Sequence, residues 1–322
     1  MTILVTGGAG FVGSHFVWAA RESGRQVVVL DDLSGGPAPK LPPDVPLVVG
    51  DIGDRAAVRH ALLEHRATAI AHFAGKIQVG ESVQKPELYF DVNLIRGLGL
   101  LEAAREAGVY HFIFSSTAAV YGVPNEVPIS EKAPRAPVNP YGATKLAFEH
   151  ALEGYEVAHG FRWAAPRYFN AAGARPDGSL RESHEPETHL IPLVIDAALG
   201  LRPPLTIYGE DYPTPDGTCV RDYIHVSDLA SAHLAALVQL EAGRSVGPVN
   251  LGTGRGFSVR QVIDAAAEVL KRPVPFTVGP RRAGDPAVLV ADPSRARDVL
   301  GWSPVRSELN VMIEDAARAR MT

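Results

Sequence analysis

The chain has little of what would place it outside the reducing interior of a cell. Cys219 is the only cysteine among 322 residues, so no intramolecular disulfide can form and a reducing, cytoplasmic setting is expected. Charged residues reach only 21% with a net charge of −5, and no long basic run offsets that sign, so no nucleic-acid partner is expected. The most apolar long stretch, Leu190 to Leu201, is too short to span a bilayer and is interrupted by Asp196. Met1 leads straight into the strand-like run Thr2 to Thr6, leaving no expected signal peptide. The eleven histidines show neither a His-Glu-x-x-His nor a Cys/His ligand spacing, and no metal is expected from them. Internal repeats and low-complexity tracts are absent. At 46% hydrophobic, the chain can bury a large core as one globular unit with two lobes.

In the first half, short apolar runs alternate with helix-length segments. Residues 3–6, 27–30, 47–49, 69–73 and 111–115 read as strands; 11–22, 55–65, 92–107 and 141–159 read as helices. Near-continuous apolar strands alternating with helices imply an α/β fold, a doubly wound parallel sheet covered on both faces. The loop from Ser34 to Pro46 carries five prolines (37, 39, 42, 43 and 46) and reads as a stiff connector. Later, Pro192, Pro203, Pro204, Pro213 and Pro215 punctuate shorter elements, and Ser258 reads as the cap of a helix over 259–270. The expected division is a sheet domain of residues 1–170 plus about 222–252 and a smaller, discontinuous C-terminal lobe of 171–221 plus about 253–322.

Two local patterns carry chemistry. Gly7, Gly10 and Gly13 fall directly after the first strand and open the first helix. Glycines there allow a tight turn and close approach to a pyrophosphate, which the helix N-terminus attracts. Asp31, ending the second strand with Asp32 beside it, can bind ribose hydroxyls and repel a 2′-phosphate, favouring NAD over NADP. Asp51 and Ile52, after the third strand, stand where an adenine would lie, although Asp51 also fits a loop or cap residue. Tyr141 and Lys145 are four apart in a helix that Asn139 caps and Pro140 begins, so phenol and ammonium share one face. Bringing a phenol of pKa ~10 into the working range takes roughly 3–4 kcal/mol, within reach of a lysine beside a cationic ring in a low-dielectric pocket.

With these motifs in this order the chain resembles the extended short-chain dehydrogenase/reductases, whose sheet is of Rossmann type. Four further stretches resemble the UDP-glucose (UDP-galactose) 4-epimerase family within them: His72-Phe73-Ala74-Gly75 with Gly80-Glu81-Ser82, Tyr168 to Gly173, Glu187 to Pro192, and Asp211 to His225. The resemblance runs from Thr2 to about Trp302. It implies a catalytic Tyr141, Lys145 and Thr117. It implies NAD contacts at Phe11 and Val12; at Asp31, Asp32, Leu33, Ser34, Gly35 and Gly36; at Asp51 and Ile52; at Phe73, Ala74, Gly75, Lys76 and Ile77; and at Asn93, with Phe169 at the nicotinamide end. It implies UDP-sugar contacts at Asn170, His189 and Leu190, at Thr206, Ile207 and Tyr208, at Arg221 and Tyr223, and from Arg282 to Asp285. Arginine forks suit a diphosphate, against the alternative that Arg221 pairs with Asp222 and Arg282 with Asp285. His225 reads as a structural histidine and His189 as a pocket residue without proton transfer.

Two positions depart from the family pattern. Lys76 follows Gly75 directly, where some members place the lysine one residue later. Leu289, at the position that admits or excludes N-acetylated sugars, is intermediate in size.

The implied reaction is reversible 4-epimerisation through a 4-keto sugar: Tyr141 takes the 4-hydroxyl proton as C4 gives hydride to NAD, and Lys145 lowers the phenol pKa. Alternatives are a 4-epimerase for an N-acetylhexosamine, uronate or pentose nucleotide, a 4,6-dehydratase, or an NAD-binding sensor without activity. Ala118-Ala119 lacks the Asp-Glu pair of the dehydratases. Members are commonly homodimers pairing the segments 92–107 and 141–159.

Overall fold

The computed structural model describes residues 1–36, 41–184, 186–282 and 285–321; Pro37 and Pro39 of the proline-rich loop lie outside them. The first half runs β1 (Thr2–Thr6), α1 (Phe11–Glu22), β2 (Gln26–Asp31), β3 (Leu47–Val49), α2 (Arg55–Glu64), β4 (Ala67–His72), α3 (Val79–Gln84), α4 (Pro86–Phe90), a π-turn at Asp91–Ile95, α5 (Arg96–Glu106), β5 (His111–Phe114), β6 (Ser116–Thr117) and α6 (Pro140–His159). The rest comprises β7 (Arg162–Tyr168), β8 (Asn170–Ala172), α7 (Leu190–Ala198), β9 (Leu205–Tyr208), β10 (Val220–Arg221), β11 (Tyr223–His225), α8 (Val226–Glu241), β12 (Gly247–Leu251), β13 (Phe257–Ser258), α9 (Val259–Leu270), β14 (Phe276–Gly279), β15 (Val288–Leu289), α10 (Ser294–Leu300) and α11 (Leu309–Met321).

The large sheet is parallel throughout, in the order β12-β7-β5-β4-β1-β2-β3, with β6 also paired to β7. The strand order reverses beyond β1, as in doubly wound folds, and the crevice outside the strands' carboxyl ends opens there. Alternation along β1 divides the apolar core. Ile3 and Val5 face a cluster with α1, α8 and Trp302, while Leu4 faces one with α2, α5 and α6. Each such buried side chain contributes about 1.5–3 kcal/mol. A third cluster, built from α7, α9, α11 and β9, lies under the second half of the chain.

The five strands and four helices expected in the first half are present within about two residues, except at 92–107. That helix is preceded by α4, whose Pro86 fixes an earlier start, and by the π-turn. π-turns inside helices recur at functional sites, and this one carries Asn93. Ser258 caps α9 with a reciprocal capping box to Gln261, as expected. Strand β7 escaped the sequence reading because Pro166 argues against an internal strand. The chain resolves the conflict by splitting its neighbour. β5 pairs with β7 as far as Ile113–Ala164 and β6 resumes at Ser116–Arg167, so Pro166 lies opposite the break.

Candidate active site and cofactor cleft

The first β-to-α turn is built for a close ligand. A Cβ on Gly7 (φ +70) would lie 2.3 Å from the Ala74 amide nitrogen, and one on Gly13 would lie 2.2 Å from the Gly7 carbonyl oxygen. Gly10 caps α1 without any side-chain hydrogen bond, and no acidic residue occupies the first turn. The positive helix end and its free amides therefore face the cleft uncompensated. Phe11 and Val12 begin that helix. Asp31 braces the turn from the second strand: its carboxylate accepts from the Ala9 and Leu33 amides, each at 2.9 Å. Asp32 accepts from Ser34, in the segment leading to Gly35 and Gly36. These residues fit a dinucleotide: a glycine cradle that any side chain would fill, beside a fixed carboxylate.

Ile52 is buried. Asp51 is only part free: it accepts from the Gly53 amide at 2.7 Å and pairs with Arg96, the loop role that its position also allowed. Asn93 clamps the backbone of Lys76, accepting from its N–H at 2.7 Å and donating to its carbonyl at 2.9 Å. That clamp fixes Ala74 to Ile77 through the main chain, independent of where the Lys76 ammonium falls. Phe73 packs on Phe16 below the turn.

Helix α6 starts as its sequence dictates: Asn139 accepts from the Gly142 amide at 2.8 Å and Pro140 holds the first position. Tyr141 and Lys145 share one face, and the Thr117 oxygen accepts from the Ala119 amide, leaving its hydroxyl proton for the Tyr141 phenol. Lys145 Nζ donates to the Ser115 carbonyl at 2.9 Å and stands 5.9 Å from the Tyr141 ring centre. It also lies 3.7 Å from where a Cβ on Gly75 would be, which places it against the segment bordering the glycine turn.

The electrostatics correct one expectation. Burial pushes the Tyr141 phenol above its usual range, and the hydrogen bond from Thr117 opposes this, while Lys145 adds no resolved downward pull. Burial lowers Lys145 itself to about 8, opposed by Glu149 one turn along. Desolvation dominates the phenol, and the Lys145 Nζ is directed at a carbonyl rather than at it.

On the substrate side, Asn170 donates to the Asp222 carbonyl at 2.9 Å and pairs in register with the buried Tyr223. Strand β9 alternates, so Thr206 and Tyr208 face outward while Ile207, 1% exposed, points into the core and can offer a ligand only its backbone. Both fallback ion pairs expected for the arginines fail. Asp222 instead accepts from the Thr253, Gly254 and Ala291 amides. Arg221 pairs with Asp285, and Arg282 stacks 4.1 Å over the Tyr208 ring. Ala283 and Gly284, between those two expected contacts, lie outside the described residues. Phe169 and Leu289 join the small apolar cluster of Ala118, Val120 and Tyr121. His225 is structural as expected, fully buried, bonded to the Ser227 amide and Asp315. His189 precedes Leu190 at the start of α7, its Nδ1 within 3 Å of both Glu182 and Glu187, which together raise it to about 10.

Sequence reasoning missed a buried polar network behind the site. Glu149 pairs with Arg167 and accepts from Ser116 at 2.6 Å, and Arg167 donates to Tyr121, which donates to Asn250. A carboxylate one turn beyond Lys145, on an apolar face, was the available signal.

The profile described as the NAD dependent epimerase/dehydratase family matches residues 3–252. Over 316 residues the chain is 46% identical to a UDP-glucose 4-epimerase of Lacticaseibacillus casei, covering 98% of this chain and 96% of that one. It is 51% identical over 303 residues to a UDP-glucose 4-epimerase of Rhizobium meliloti (94% and 92% covered). The crystal structure of UDP-glucose 4-epimerase from Brucella ovis in complex with NAD superposes with a TM-score of 0.94 at 46% identity, covering 98% of this chain and 97% of that one. The chain belongs to the NAD-dependent epimerase/dehydratase family.

Proposed function

We infer that the protein is an isomerase, an NAD-dependent UDP-glucose 4-epimerase that interconverts UDP-galactose and UDP-glucose with no net redox. The observation that carries this reading is the Thr117–Tyr141 hydrogen bond with Lys145 5.9 Å from the Tyr141 ring, the lysine itself lying against Gly75 in the segment that borders the glycine turn. NAD, when bound, supplies a reversible hydride acceptor for C4. Tyr141 removes the 4-hydroxyl proton and returns it after the 4-keto sugar has turned over. Thr117 hydrogen-bonds the sugar oxygen as charge develops, Lys145 holds the ribose end, and the cationic ring of bound NAD would draw down a phenol that burial has raised.

Arg221, Arg282, Asn170, Tyr223, Thr206, Tyr208, His189 and Leu190 hold the UDP portion, and the hexose is gripped weakly enough to rotate. In this proposal, residues 1–170 with about 222–252 hold NAD, and 171–221 with about 253–322 hold the UDP-sugar. A cytoplasmic homodimer through the segments 92–107 and 141–159 completes it; Ile95 at the end of the π-turn and Val157 on α6, 62% and 89% exposed, support that surface.

Incubation with UDP-galactose and a coupled UDP-glucose dehydrogenase tests the reading. Turnover is expected, and Tyr141→Phe should lower it by several orders of magnitude with NAD still bound. Unaltered UDP-galactose would overturn the assignment, and a near-normal rate in that variant would remove Tyr141 from the mechanism.

A further inference from the structure

Outside the catalytic cluster, one segment gathers metal-ligating groups, of which the proposed epimerase uses only His189, at the UDP end. Glu182, His184, Glu187 and His189 each bring one donor atom, and these atoms lie within 4.8 Å of one another. Glu182 Oε1 stands 3.2 Å from His184 Nδ1 and 2.6 Å from His189 Nδ1. Glu187 closes the group from the other side, with Oε1 2.9 Å from His189 Nδ1 and Oε2 4.0 Å from His184 Nδ1. Four ligands around a zinc ion at about 2.0–2.1 Å would stand ~3.3 Å apart, the middle of that range.

Two ordinary histidine–carboxylate ion pairs do not account for the cluster. His189 would be satisfied by them, whereas His184 Nδ1, 3.2 and 4.0 Å from the two carboxylates, is turned toward both without the alignment of a hydrogen bond to either. The nearby cations are engaged elsewhere: Arg320 holds Asp196 through both oxygens, and Arg181 donates to the Ala319 and Arg320 carbonyls. Glu187 is further oriented by the Thr188 and His189 amides, each 2.8 Å from Oε1, the outer support that ligating carboxylates receive.

We propose that Glu182, His184, Glu187 and His189 form a four-coordinate site for a divalent transition-metal ion of the zinc class. Two imidazole nitrogens disfavour calcium and magnesium, and two carboxylates with two neutral imidazoles balance a double positive charge. The role is structural. Ser183, inside the cluster, has its carbonyl oxygen 3.2 Å from where a Cβ on Gly36 would be, and His189 begins α7. The ion thus fastens a strap between the cofactor-side loop and the substrate-side helix.

Chelator-treated, dialysed protein titrated with zinc against a chromophoric chelator should take up one tight equivalent. His184→Ala and Glu187→Gln should each weaken that binding at least tenfold. Cobalt(II) in the unsubstituted protein should give the intense visible bands of a four-coordinate centre, a readout that needs no variant to fold. Absence of a tight equivalent, unchanged affinity in both variants, or a pale six-coordinate cobalt spectrum would each overturn the proposal.

Discussion

Replacing Glu149 by glutamine probes the scaffold behind the catalytic face at its most exposed energetic point. Glu149 and Arg167 are both 0% exposed and pair through both carboxylate oxygens and one guanidinium edge, with Arg167 Nε 2.9 Å from Glu149 Oε1. An amide of the same shape keeps the packing but leaves Arg167 charged and unbalanced in a dry interior, a loss of about 3–5 kcal/mol. At ~2.1 cal/mol/K per residue, 322 residues give an unfolding entropy of about 0.7 kcal/mol/K, so the melting temperature should fall by about 4–7 °C.

The same change bears on chemistry, because the Glu149 carboxylate opposes the burial that lowers Lys145 to about 8. Without it Lys145 loses its proton at lower pH, and the alkaline limb of epimerase activity should move down with it. Scanning calorimetry and a pH–rate profile read the two effects. The double substitution Glu149→Met with Arg167→Met should recover most of the stability, since no buried charge is then stranded. A single variant melting within about a degree of the parent, with an unmoved alkaline limb, would refute this reasoning.

Lys145 itself makes stability depend on pH: its folded pKa of about 8 lies below the unfolded value of 10.5, so between them the unfolded chain binds more protons and stability rises with pH. Urea titrations at pH 8 and 10 should show a gain of about 2 kcal/mol over Lys145→Met at matched NAD content; parallel curves would exclude the shift. Asn93→Ala strands the Lys76 N–H and carbonyl, and should cost about 1–3 kcal/mol in denaturant unfolding and speed NAD loss on gel filtration. Leu289→Ser opens the wall shared with Ala118 and Phe169, and should raise kcat/KM for UDP-N-acetylglucosamine at least tenfold in a coupled assay.

Legibility in the sequence followed how local each determinant is. The glycine turn, the Asn139-Pro140 start of α6 and the strands on either side of β1 are written in neighbouring residues, and they appear where expected. The identity of partners across the fold was not legible. Arg221 finds Asp285, 64 residues away, rather than adjacent Asp222, because the latter is drawn into a nest of amides from two other loops. The Tyr141–Lys145 spacing announced a pair, yet not the direction of the phenol's shift, which depends on burial that no spacing reveals. The metal-ligating quartet escaped because its Glu-x-His-x-x-Glu-x-His order follows none of the familiar templates, and only folding turns the four donors inward.

Pro166 gives the interrupted strand a lasting consequence. With no N–H at that rung, β7 has nothing with which to coax the opposite edge shut, so the sheet keeps a permanent notch where Ser115 stands. Beside that notch the Ser115 carbonyl accepts from the Lys145 ammonium at 2.9 Å, while the Ser115 N–H stays with His72 on the other side. An alanine there would restore an N–H opposite the Phe114 carbonyl, and the ladder would run on past the break.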